Sequence, residues 1–345
     1  MLLLLLACGE DTKEELDTAV EDTAVENTDT NQTVDDQDGD GFSIEDGDCN
    51  DEDATIFPFD RSEYHGSVGC GWEISSGVDY VCGLSSAGAI SCWGEDNGSE
   101  NLDAPDGTFV ELSVGTGHAC ARDENNMVTC WGWGTYGQTG ESEVAGSILE
   151  TPMKSISAGA HQTCGIDLND AVHCMGGYSY YNWAWDGVAA ASINTASYHA
   201  CAVTTDGAIS CVVPTDDSGD LVVDDIPAAP EDTYTTVASI DATESCALNT
   251  QGTVVCWGSL GDLYTPPTAS VVALEMGSMD HYCALSADQS VTCWGDVWPT
   301  LDQGQTADPE GTFQSIDLGQ YHSCGVRTTG DIYCWGSIEG SPIEW

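Results

Sequence analysis

The pattern of apolar and polar positions divides this chain in two. Residues 9 to 34 are mostly Glu, Asp and Thr, with no aromatic side chain and few large aliphatic ones. Such a stretch cannot bury enough apolar surface to offset its ordering entropy, so a disordered, self-repelling tether is expected there. From residue 71 onward the pattern changes to short strand-like runs, such as Phe109-Val110-Glu111-Leu112 and Phe313-Gln314-Ser315-Ile316. A Gly often follows each run (Gly77, Gly115, Gly159, Gly319), and then a unit reading Cys-Ala-Leu-x-x-x-Gly-x-Val-x-Cys-Trp-Gly. The segments after Trp-Gly collect Pro, Asp, Gly and Ser, as surface loops do.

That unit comes round seven times, and its two cysteines always stand ten positions apart. The pairs are Cys82 and Cys92, Cys120 and Cys130, Cys164 and Cys174, Cys201 and Cys211, Cys246 and Cys256, Cys283 and Cys293, and Cys324 and Cys334. Successive units begin 37 to 45 residues apart. A period near 40 carried to the last residues marks a repeat architecture. A closed ring of repeats absorbs most of the 345 residues as one domain.

The spacing within each unit predicts a hairpin. The fold point of the first pair is Ala87, leaving Ser86-Ala87-Gly88 as a three-residue loop. Such loops take a type I turn followed by a residue in the left-handed region. The third loop residues are Gly88, Asn126, Asp170, Gly207, Gly252, Gln289 and Gly330, and all but Gln289 are types that tolerate positive φ well. In that register Cys82 faces Cys92, Leu84 faces Ile90 and Val81 faces Trp93. Opposed Cα atoms lie about 4.5 to 5.5 Å apart, within reach of a disulfide. The residue opposite each Trp is small or medium (Val81, Ala119, Ser245, Ser323), except for Tyr282 opposite Trp294. Zinc thiolates would need C-x-x-C pairs, and the chain has none.

Charge narrows the function classes. The chain carries 59 acidic residues against five basic ones, a formal charge of −54. No basic stripe is present to displace counterions from nucleic acid or to dock on anionic lipid. Such a surface favours solubility and the binding of cations. The 17 cysteines point to an oxidising compartment. Seven hairpin pairs leave Cys8, Cys49 and Cys70. Cys49 and Cys70 are expected to pair with each other, and Cys8 remains as a special thiol.

Three resemblances give these pieces a setting. Gly115-Thr116-Gly117-His118-Ala119-Cys120-Ala121 and Gly319-Gln320-Tyr321-His322-Ser323-Cys324-Gly325, with Leu84, Leu248 and Leu285 and the recurring Trp-Gly, resemble the repeats of the regulator of chromosome condensation family. The resemblance implies an all-β fold, a seven-bladed β-propeller with disulfide-stapled hairpins. The nuclear members' nucleotide-exchange role does not carry over to so acidic a chain. Leu5-Leu6-Ala7-Cys8, at the end of an apolar run without a basic n-region, resembles a bacterial lipobox and implies lipidation at Cys8. Asp36-Gln37-Asp38-Gly39-Asp40-Gly41-Phe42, followed by Asp46-Gly47-Asp48-Cys49 and Ile56-Phe57-Pro58, resembles the metal-binding repeats of bacterial surface proteins. Alternating carboxylates before a Gly turn suit a hard cation, so calcium is expected on Asp36, Asp38, Asp40 and the Phe42 carbonyl, with Asp46 or Asp48 closing the shell. Gly47 at the twelfth position sets the segment apart from an EF-hand.

The expected layout is a signal peptide over 1–7, an acidic linker over 8–34, a calcium module over 35–70 and the propeller over 71–345. His118, His199, His281 and His322 precede the first cysteine of their units by two residues, where the family pattern has a scaffold histidine. The loop after the third unit departs most from the repeat: Tyr178, Tyr180, Tyr181, Trp183 and Trp185 within eight residues. Such rings form either a hot spot for a protein or glycan, or a wedge between blades. Trp131, Trp133 and Tyr136 would extend that patch. The motifs of common hydrolases and phosphate-binding loops are absent. The reading is an exported, lipid-anchored, monomeric binding module of a bacterial cell envelope, touching membrane only through its lipid and taking no nucleic acid. The enzyme alternative is a glycan lyase or hydrolase with convergent titratable groups in the central channel.

Overall fold

The structure is a computed structural model that describes residues 73–96, 98–140, 149–177, 185, 187–197, 199–212, 228–240, 244–258, 266, 270–277, 281–295, 303–338 and 341–342. The tether and the calcium module, with Cys8, Cys49 and Cys70, lie outside the described residues.

Seven antiparallel sheets follow one another along the chain, and each sheet holds one cysteine unit. Six sheets have three described strands, and the seventh adds Ser341–Pro342 as a fourth. The inner strands are Glu73–Ser76, Phe109–Val114, Met153–Ala158, Ala190–Thr195, Tyr234–Ile240, Val271–Gly277 and Phe313–Leu318. Each inner strand packs on the next, and the first also packs on the last, so the blades close into a ring. A bond 241 residues apart in sequence seals the closure: Ser76 N–H donates to Asp317 Oδ1 at 2.7 Å.

All seven hairpins take the expected register. Cys82 pairs with Cys92, Val81 with Trp93 and Leu84 with Ile90, and the same offsets hold through Cys324 and Cys334. Seven disulfides join the paired cysteines, with Cα atoms 4.0 to 4.1 Å apart. In the chain-entropy picture each such short staple contributes about 2 kcal/mol, less where the hairpin is already ordered locally. Tyr282, the bulky residue opposite a Trp, is accommodated by stacking: its ring lies 5.6 Å from that of Trp294, at 11°.

The third loop residue has positive φ in every hairpin, and Gln289 at 70° shares the conformation of Gly207 at 86°. The turn sets this conformation, and six of the seven carbonyls it exposes are used between blades. In this conformation the residue's carbonyl turns outward and accepts the first inner-strand N–H of the next blade. Phe109 donates to Gly88, Met153 to Asn126, Ala190 to Asp170, Tyr234 to Gly207, Val271 to Gly252 and Phe313 to Gln289, all at 2.8 to 3.0 Å. Six blades also show a register shift just inside the start of the inner strand. A bulge there bends the strand and re-aims the residues that follow it.

Between blades the core is a set of apolar clusters. In one, Tyr80, Leu84, Phe109, Leu112 and Trp131 join the first two blades. In another, Val81 and Ile74 of the first blade meet Val326 and Cys334 of the last. Both faces of each sheet are therefore buried, as stacked blades require.

Candidate functional site

The ring has two ends. Hairpin tips and inner-strand starts share one; the inner-to-middle turns and the linkers after each outer strand begin at the other, the loop end. A cavity of about 140 Å³ opens there on the central channel and is lined by all seven blades.

One register position, the inner-strand residue opposite the first cysteine, lines the cavity in six blades, while blade five contributes the neighbouring Ser239 instead. The position is held by Ser75, Ser113, Ser157, Asn194, Ala238, Glu275 and Asp317 from blade one to blade seven. In four blades its side chain accepts a backbone N–H from the next blade. Val114 donates to Ser75 Oγ at 3.0 Å, Ala158 to Ser113 Oγ at 2.9 Å, Thr195 to Ser157 Oγ at 2.9 Å and Ser239 to Asn194 Oδ1 at 2.8 Å. Asp317 does the same for Ser76. Ala238 offers no acceptor and leaves the belt open between blades five and six.

Glu275 and Asp317 thus stand side by side on adjacent blades. Burial and mutual repulsion raise Glu275 well above the usual carboxylate range. Burial pushes Asp317 up to about 7 against the pull of Ser76, and Glu73 of the first blade adds repulsion. These are the convergent titratable groups that the enzyme alternative needs, yet Asp317 already serves as the acceptor that closes the ring. The other positions bring only hydroxyls, an amide and a methyl.

The histidines are scaffold. All four are wholly buried. His118 Nε2 lies 2.8 Å from Thr163 Oγ1 on the third blade. The Thr163 hydroxyl donates to the Gln138 carbonyl, so the imidazole is the donor and carries its proton on Nε2. His199 Nε2 reaches Ser245 Oγ of the fifth blade at 3.1 Å. Tyr80 takes the same position in blade one, donating to the His118 carbonyl at 2.8 Å. Burial lowers His118 and His281 to about 3 and His322 to about 4, so these rings are neutral at physiological pH. The nearby glycines make room for them. A Cβ on Gly115 would lie 2.1 Å from the Gly159 carbonyl oxygen and 2.8 Å from the His118 ring.

Three further linker residues complete joints of the ring. Asn101, Gln138 and Gln305 are wholly buried linker residues. Trp131 Nε1 donates to the Asn101 carbonyl and Trp335 Nε1 to the Gln305 carbonyl, both at 3.1 Å. The available signal was an amide residue after Trp-Gly, at no fixed spacing.

Of the aromatic loop, Tyr178, Tyr180, Tyr181 and Trp183 lie outside the described residues, as do Asp36, Asp38, Asp40, Phe42, Asp46 and Asp48. Trp185 is described and is buried at 8% exposure among Ile166, Val172, Ala200 and Ala202. Of the two readings open for these rings, Trp185 takes the wedge between the third and fourth blades and is closed to a partner. Trp131 is also buried, whereas Trp133 and Tyr136 are half-buried at the loop end. Among the described residues no group of three His, Cys, Asp or Glu side chains is placed to hold a metal ion.

The model of the regulator of chromosome condensation (RCC1) repeat matches residues 109–138 and 313–337, the second and seventh units. Among curated proteins none matches the sequence. Among solved structures, the chain is 25% identical to the CRINKLY ectodomain of the Arabidopsis thaliana receptor kinase ACR4, over 79% of this chain and 96% of that one, with a TM-score of 0.60. It is 23% identical to the ectodomain of the Physcomitrella patens receptor kinase CR4, over 76% and 72%, at 0.61. Against Saccharomyces cerevisiae Prp20p, studied for its binding to Gsp1p and histones, identity is 14% over 66% and 72%, at 0.51. The seven stapled sheets and the closed ring make this chain a seven-bladed β-propeller, and two of its units match the regulator of chromosome condensation repeat.

Proposed function

We propose that this propeller is a non-catalytic interaction module, exported and held at a bacterial cell surface by a lipid on Cys8, that binds a protein. The observation that carries this reading is how the ring divides its labour. Hairpin turns, His118 and His199, and five channel positions are used in joining blades, and the disulfides in closing each hairpin, which leaves the variable loops for recognition. The likeness to a receptor-kinase ectodomain supports an extracellular setting. Immobilised full-length protein should capture a saturable partner from envelope extracts, and proteins carrying substitutions in the loop-end linkers should lose it with unchanged melting temperature. A Cys8→Ser protein should leave the membrane fraction while keeping its fold.

The acidic module over residues 35 to 70 is proposed to hold structural calcium through Asp36, Asp38, Asp40, the Phe42 carbonyl and Asp46 or Asp48. The donor set is all oxygen, as calcium requires. Isothermal titration of the full chain should show one site that Asp38→Ala and Asp40→Ala weaken; unchanged titration by both proteins removes it.

A glycan remains the second class of partner. A glycan-cleaving activity is favoured by one observation, the Glu275 and Asp317 pair, because a carboxyl near pH 7 suits general acid–base work. Turnover of an envelope glycan that Asp317→Asn abolishes would establish it.

A further inference from the structure

Three rings meet at the loop end, where the second and third blades join. Trp133 and Tyr136 follow the outer strand of blade two, and His161 stands in the turn before the middle strand of blade three. Trp133 and Tyr136 have centroids 5.1 Å apart at 72°, Trp133 and His161 5.5 Å apart at 82°, and Tyr136 and His161 4.7 Å apart at 55°. All three are half-buried, so one side of the cluster is packed and the other meets solvent. Burial holds His161 below its ordinary value, which keeps the third ring neutral at pH 7 and above.

An acidic loop is pinned beside this cluster. Asn101, wholly buried, donates from Nδ2 to the Glu95 carbonyl at 3.2 Å, while its own carbonyl accepts from Trp131. Its Cα lies against Gly132, the residue before Trp133. The side chains of Glu95, Asp96 and Glu100 are exposed on this loop.

Charge selects the occupant. Arg122, Lys154 and Arg327, the basic residues among those described, are engaged near the hairpin end by Glu111, Asp170 and Asp331. Arg327 also lies 3.9 Å over the Tyr333 ring. The molecule thus already holds one cation between an aromatic face and a carboxylate. The blade two and three junction repeats that pairing with no lysine or arginine of the described residues in it.

We propose that this junction docks a lysine- or arginine-bearing segment of a partner polypeptide, whose cation stacks on Trp133 and Tyr136 while Glu95, Asp96 and Glu100 supply the surrounding field. It rests on the reading of the ring as a protein-binding module and names that partner's chemistry. Cations over indole and phenol faces gain most when partly desolvated, and the acidic rim speeds and orients the encounter.

The test uses the full chain and three synthetic peptides of equal length, rich in Arg and Lys, in Gln and Ser, or in Glu. Only the basic peptide should bind, weakening as salt rises. Trp133→Ala should weaken it about tenfold, the size of one partly buried cation–π contact. Glu95→Gln with Glu100→Gln, which change only exposed side chains and keep the backbone bonds of the loop, should weaken it several-fold and flatten the salt dependence. Asp206→Asn at a hairpin tip should change nothing. Equal weakening by the Asp206 variant would show a diffuse surface field and overturn the proposal. So would equal binding of the neutral peptide, no binding of the basic one, or neutral oligosaccharides held on the same rings. Envelope partners captured through other loops would leave the binding-module reading standing while this surface fails.

Discussion

Blades one to four and blades six and seven solve the same joint differently. At the position opposite the first cysteine, Ser75, Ser113, Ser157 and Asn194 offer neutral acceptors to the next blade. Glu275 and Asp317 place carboxyls there, in a channel that resists charge. A hydroxyl acceptor works at any pH. Asp317 accepts as well, from Ser76, but its proton count now depends on the ring being closed. One register position therefore yields a pH-independent belt on one side of the channel and a titrating seam on the other, where the last blade meets the first.

The largest predicted effect lies at that seam. Glu275 and Asp317 are both held above their unfolded values, and Asp317 reaches about 7 from 3.8. As pH rises from about 4 the unfolded chain releases these protons while the ring keeps them. Their contribution to stability is thus full in acid and is lost as pH rises through the raised folded values, about 7 for Asp317. A Glu275→Gln, Asp317→Asn protein, which keeps an acceptor for Ser76, should be more stable than the parent at pH 7 to 8 by on the order of 2 kcal/mol, discounting for water in the channel. The gain should vanish near pH 4, and denaturant melts at both pH values check it. Hairpin-tip carboxylates act with the opposite sign. Asp123, held down by the Met127 N–H, and Asp288, held down by the Ser290 hydroxyl, lose their contribution as acid protonates them. Only the difference between variant and parent isolates the seam.

The neutral side of the belt should respond less and without pH dependence. Ser113→Ala removes the acceptor for Ala158 N–H and should cost about 1 kcal/mol equally at pH 4 and pH 7. A cost confined to one pH would merge the two regions and end the comparison. The smallest effect is expected at the gap. Ala238→Ser supplies the missing hydroxyl facing blade six and should stabilise by about 0.5 kcal/mol, read from the same melts.

Much of this architecture was legible in the sequence because it is local. Ten-residue cysteine spacing, a small residue opposite Trp and a Gly, Asn or Asp at loop position three each constrain one hairpin. Gln289 shows how strong that constraint is: the three-residue turn places even Gln at a φ of 70°, closed by its N–H to the Ser286 carbonyl. The scaffold position of the histidines was also legible, and His118 and His199 each reach a hydroxyl of the next blade. Trp185 could not be assigned between its two readings, since exposure depends on whether blade four leaves a groove beside Ile166 and Val172. Asn101, Gln138 and Gln305 went unmarked because linkers of unequal length carry them to equivalent places.

What the sequence determined by itself is the blade and its number: seven stapled hairpins, each specified by contacts within about fifteen residues, in a strongly acidic chain. What the tertiary structure decided is everything set by the ring. Bulges fix which inner-strand residues face the channel, and ring closure brings Asp317 to Ser76 across 241 residues of sequence. Closure also removes Glu275 and Asp317 from water, turning two ordinary acids among 59 into a pair raised above the usual carboxylate range, Asp317 to about 7. Burial and proximity across blades are properties of the closed ring, and no local pattern of residues encodes them.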